Sequence, residues 1–75
     1  MAQLPDREEL AEAFEYLDDL RESGETNMFG AGVYLREDFG MERKSSGAVL
    51  SAWMKTFDGE TPADERADAA LQVST

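Results

Sequence analysis

The chain has 75 residues, with 17 acidic and 7 basic side chains and a formal net charge of -10. That length allows one domain at most, near the lower limit at which a single hydrophobic core holds a fold unaided. There is no cysteine and no histidine, so disulfides and thiolate metal sites are excluded and the commonest general base and metal ligand are missing.

The charge is unevenly placed. Residues 1–25 carry nine acids against two bases, residues 26–57 three against four, and residues 58–75 five against one. Two acidic ends therefore flank a nearly neutral, apolar middle. Such a field disfavours approach to DNA or an anionic membrane and favours a basic surface. Met1 to Arg7 includes an acid and no apolar run, so no signal peptide is expected. Uninterrupted apolar stretches are only a few residues long, far short of the ~20 that span a bilayer. The expectation is a soluble protein acting in the cytoplasm.

The first segment, Asp6 to Ser23, is predicted to be a helix. Pro5 and Asp6 suit its start, and Asp6, Glu8 and Glu9 complement the positive end of its dipole. Leu10, Ala13, Phe14, Leu17 and Leu20 recur at three- and four-residue intervals and form one apolar stripe. Glu8, Glu12, Glu15, Asp19 and Glu22 line much of the opposite side, and Gly24 follows as a left-handed cap.

A second helix is predicted from Met28 to Phe39, with Thr26 or Asn27 as its cap. Met28, Ala31, Leu35 and Phe39 share a face. Gly30 and Gly32 weaken its first turn by about 1 kcal/mol each against alanine, which points to a close helix approach or an irregular start. Gly40 ends it, and Met41 is placed to make the hydrophobic contact that accompanies such a cap.

A third helix spans Arg43 to Phe57. Leu50, Trp53, Met54 and Phe57 form its inward face, flanked by Val49 and Ala52, whereas Ser45, Ser46 and Gly47 predict loose first turns. Asp58 and Gly59 end it. The remaining stretch stays open between a short fourth helix and a disordered tail. Thr61 is its candidate cap, with Pro62 at the first helical position, and Ala63, Ala67, Ala70 and Leu71 fall on one side.

Together these elements predict an all-α fold. It is a compact three-helix bundle over residues 1–59 with a helix-turn-helix-like second half, followed by an acidic tail or short helix over 60–75. Leu10, Phe14, Leu17, Leu20, Leu35, Phe39, Val49, Leu50, Trp53 and Phe57 form the expected core. A core of this size makes dimerisation a natural supplement.

The sequence offers no catalytic constellation. No base accompanies Ser45, Ser46 or Ser51, and Gly30-Ala31-Gly32 lacks the lysine of a phosphate-binding loop. Asp18-Asp19 and Glu8-Glu9 diverge around a helix, and no calcium loop occurs. The protein is expected to be no enzyme and to need no cofactor or metal. The acidic row from Glu8 to Glu22 spans ~21 Å at 1.5 Å per residue. Its members are about 5–6 Å apart, comparable in scale to the phosphates of a nucleic-acid strand. Phe29 and Tyr34, off the stripe of Leu35 and Phe39, are further candidate contacts.

The stretch from Tyr16 to Phe57 resembles a family of small uncharacterised proteins from tailed-phage and prophage genomes. The likeness centres on LRESG, TNMFGA, YL…FG and WMKTF and covers a little over half of the chain. Where that family continues after Arg43 with charged helix formers, this chain has Lys44 and then Ser45-Ser46-Gly47. The resemblance implies a phage-encoded accessory protein and carries no catalytic or binding residue with it.

The expected function is therefore a non-enzymatic inhibitor of a host protein, of the anti-CRISPR or nucleic-acid-mimic type. It would bind a basic surface through Glu8, Glu12, Glu15, Asp19 and Glu22, with Phe29 and Tyr34 as additional contacts. One alternative is a helix-turn-helix DNA-binding regulator using Arg43, Lys44 and Lys55, which the net charge disfavours. The other is an oligomeric assembly protein joined near Phe29 and Tyr34.

Overall fold

The structure is a computed structural model that describes residues 4–24 and 30–74. Among the described residues four helices follow one another: α1 Arg7–Ser23, α2 Ala31–Phe39, α3 Arg43–Thr56 and α4 Ala63–Ser74. No described helix is long and apolar enough to cross a membrane.

α1 forms as its sequence predicts, with Asp6 as the cap just outside it. An Asp6 carboxylate oxygen accepts the Glu9 N–H at 2.9 Å, satisfying one of the orphan donors of the first turn. Gly24, at φ 69°, ends the helix in the left-handed region. Leu10, Ala13, Phe14 and Leu17 are fully buried, with Ala11 and Leu20 nearly so.

α2 as described begins at Ala31 after Gly30, which provides no side-chain cap. Met28, Phe29 and the candidate caps Thr26 and Asn27 lie outside the described residues. At its other end Gly40 adopts φ 67°, and Met41 turns into the core as expected.

α3 departs from expectation at its start. It is helical from Arg43, and the Ser46 hydroxyl donates to the Arg43 carbonyl at 3.0 Å. That bond satisfies the hydroxyl inside the helix, so Ser46 is buried and the first turns are regular. Met54, assigned to the inward face, is 41% exposed. The buried arc runs through Ser46, Val49 and Trp53, which leaves Met54 about 100° around the helix from Trp53. Phe39, Leu50 and Phe57 pack against the core while only partly buried. Gly47 is exposed on α3, and a Cβ built there meets nothing within 4 Å. Gly47→Ala is therefore expected to raise the unfolding free energy by about 1 kcal/mol, measured by urea denaturation.

The fold is completed by α4, so the bundle has four helices where three and a tail or short helix were expected. Ala63, Ala67 and Ala70 are buried, and α1 packs more extensively on α4 than on any other helix. Alanine brings little surface of its own. Its small side chain lets the two backbones approach, so the large α1 residues do most of the burying.

A charged residue sits inside this contact. Arg66 is 4% exposed; its Nη2 donates to Asp18 of α1, and its Nε donates to the Thr61 carbonyl at 2.9 Å. The other Asp18 oxygen accepts the Trp53 indole N–H at 2.8 Å. One carboxylate on α1 thus ties α3 and α4 together. The guanidinium also faces the Phe14 and Phe57 rings, 5.7 and 5.5 Å from their centroids.

The turn between α3 and α4 is organised by Asp58. Its Oδ1 accepts the N–H groups of Glu60 and Thr61, and its Oδ2 accepts the Thr61 hydroxyl at 2.7 Å. Thr61, expected to cap the last helix, has its hydroxyl turned to Asp58 instead. These bonds, the Thr61 N–H foremost, lower the Asp58 pKa to about 2. A depressed carboxylate stabilises the fold above its unfolded value near 3.8 and loses that contribution as pH falls through about 2. An NMR titration should place the Asp58 midpoint near the lower figure and show the turn loosening only across that window.

Candidate functional site

The acidic face follows from the way α1 is clamped. A helix turns about 100° per residue, so Glu8, Glu12, Glu15, Asp19 and Glu22 fall within an arc of about 80°. The buried stripe occupies the opposite side. Arg7 and Asp18 lie on the flank that reaches α4, through Arg7 to Asp68 at 2.5 Å and Asp18 to Arg66. Tyr16 lies on the flank that reaches α2, where its hydroxyl donates to Asp38 and its ring packs edge-on against Phe39 at 5.5 Å. The acidic row is what remains exposed between the two flanks, and all five of its residues are exposed.

Beside this row, two hollows follow the seam between α1 and α2 and meet at Asp38. One, of about 550 Å³, is lined by Asp6, Glu8, Glu9, Glu12, Asp38 and Phe39. The other, of about 520 Å³, is lined by Tyr16, Asp19, Leu20, Ser23, Tyr34, Glu37 and Asp38. Among the described residues, seven carboxylates and no cation line this trough. They are spread along it, and among the described residues no group of three or more is close enough to hold a metal ion.

The sequence-predicted row divides accordingly. Glu8, Glu12 and Asp19 line the trough, whereas Glu15 and Glu22 stand on the crest of α1, Glu22 at the edge of a separate hollow beside Arg21. Half-buried Tyr34 belongs to the trough wall, and Phe29 lies outside the described residues. Asp6, Glu9, Glu37 and Asp38 are trough residues that the sequence reading did not single out. The adjacency of Glu37-Asp38 to the apolar Phe39 was the signal present, but it gains meaning only once Tyr16 fixes how α2 lies on α1.

The row carries an internal penalty. Glu8–Glu12, Glu12–Glu15, Glu15–Asp19 and Asp19–Glu22 are like-charge neighbours at helical spacings that weaken a helix by about 0.2–0.5 kcal/mol each. Glu12, Glu15, Asp19 and Glu22 make no ion pair or hydrogen bond among the described residues.

The cations of the alternative reading are elsewhere. Arg43 and Lys44 open α3 and Lys55 closes it, all exposed and ~16–18 Å apart along the axis at 1.5 Å per residue. No family model, curated protein or solved structure matches the chain.

Proposed function

We propose that the chain is a small non-enzymatic binding protein, phage-encoded, that inhibits or modulates a host protein by seating a basic surface in the α1–α2 trough. The sharper form is a counter-defence protein, such as an anti-CRISPR, that occupies a channel built for nucleic acid. The observation that supports this reading is the trough itself: among the described residues, seven carboxylates line it without a cation, beside an acidic row that lowers the stability of α1. A solvated face needs polarity, but it does not need uniform sign. A row left uncompensated in this way suits an external counter-charge.

The test is capture from a bacterial lysate with the full chain as bait, followed by elution with double-stranded DNA. A basic protein retained on the bait and released by DNA is the expected result; retention of none, or of partners indifferent to DNA, defeats the nucleic-acid-mimic form. The helix-turn-helix reading draws support from the absence of carboxylates on the exposed side of α3. A gel shift of the isolated protein at low salt would decide for that reading and against the inhibitor.

A further inference from the structure

The exposed face of α3 belongs to neither the core nor the trough. It presents Arg43, Lys44, Gly47, Ser51, Met54 and Lys55, with no carboxylate among them. Three of its features bear on what covers it. Met54 stands 41% exposed. An apolar groove of about 280 Å³ lies open along the same helix, with Ala48, Ala52 and Ala70 in its lining. Arg43 and Lys44 occupy the first turn of α3, which holds no acid, so cations sit at the end of the helix dipole that repels them.

We propose that α3 packs antiparallel against α3 of a second copy, about a two-fold axis at Ser51. In that register each residue faces the one equally far from Ser51 on the opposite strand of the pair. Met54 of one copy then falls on Ala48 of the other, in the apolar groove. Lys55 falls on Gly47, where the surrounding space is empty, and its aliphatic stem can lie there with the ammonium in solvent. Large residues meet small ones in both directions, which is the self-complementarity an isologous contact requires. Arg43 and Lys44 come to the negative end of the partner's α3 dipole, which closes at Thr56. Each copy brings three cations and no carboxylate to the contact, and the register sets none of those cations opposite another. None of the α3 residues placed in this contact lines the trough, so the contact does not use it. This inference does not depend on what the trough binds.

Sedimentation equilibrium of the full chain at micromolar concentration and physiological salt is expected to give twice the 8.3 kDa chain mass. Ser51→Glu places two carboxylates at the axis and should halve that mass with an unchanged far-UV circular dichroism spectrum. The native chain has no cysteine, so Ser51→Cys should give a disulfide-linked dimer on mild oxidation while Glu15→Cys on the crest of α1 does not. A single-chain mass for the native protein at high micromolar concentration would overturn the proposal. So would a dimer that survives Ser51→Glu, or one that Ser51→Cys fails to cross-link.

Discussion

Asp18→Ala is expected to destabilise the fold by about 3 kcal/mol, the low end of the range for removing one partner of a buried ion pair. The low end applies because Asp18 itself is 31% exposed while Arg66 is 4% exposed. The substitution leaves the Arg66 guanidinium in the α1–α4 contact with its Nη2 unpaired, and Nη1 is already buried without a hydrogen-bond partner. It also deprives the Trp53 indole N–H of its acceptor. A domain of this length has roughly 4–11 kcal/mol to lose, so the variant keeps roughly 1–8 kcal/mol and its urea midpoint should fall clearly below that of the native chain. Urea denaturation followed by the emission of Trp53, the single tryptophan, reads this directly. Asp18→Asn should lose less, because an amide oxygen can still accept from the indole. Combining Asp18→Asn with Arg66→Met should cost less than the two single losses together, since the second change removes the charge that the first left unpaired. An Asp18→Ala protein within 1 kcal/mol of native, a margin well below the expected ~3 kcal/mol, would show that the cluster holds nothing together.

That cluster marks where the sequence stopped being legible. α1 could be read almost to the residue because every signal for it is local: the Asp6 cap, the apolar stripe and the Gly24 terminator. Adjacency alone makes Asp18 and Asp19 diverge; the structure shows that Asp18 meets Arg66 and that Asp19 lines the trough. What could not be read is that Asp18 has a partner 48 residues away. Arg66 shares the inward side of α4 with Ala63, Ala67 and Ala70, and an arginine among alanines reads as a solvent-facing residue until the carboxylate that meets it is known. The same gap left residues 60–75 undecided, because an alanine stripe gains its value from the neighbour it lets approach and not from its own area. Half of the candidate site was legible for the opposite reason. The acidic row of α1 is periodic within one helix, whereas the Glu37 and Asp38 wall depends on a contact between Tyr16 and Asp38 across 22 residues.

Exchanging Glu12 and Asp19 for lysine together should move stability and binding in opposite directions. Each of the two lines a different half of the trough. Along the row the substitutions leave alternating signs: acid at Glu8, cation, acid at Glu15, cation, acid at Glu22. All four neighbouring pairs then change from repulsive to attractive. At about 0.2–0.5 kcal/mol for either sign of pair, each reversal counts twice and the helix should gain roughly 2–4 kcal/mol, a rise in Tm of about 8 °C or more for a domain of this size. Added salt should raise the Tm of the native protein by screening the row and do little for the variant. Affinity for a basic protein captured from lysate should meanwhile fall by about a hundredfold, because two attractive groups become repulsive at the contact. Glu12→Gln with Asp19→Asn should shift both quantities the same way by smaller amounts. The two readouts fail separately. A lower Tm would remove the claim that the row is under electrostatic strain, and undiminished binding would remove the trough as the contact surface. A more stable protein that no longer binds would mean that the carboxylates of α1 are retained against the interest of the fold, for a partner that supplies the missing charge.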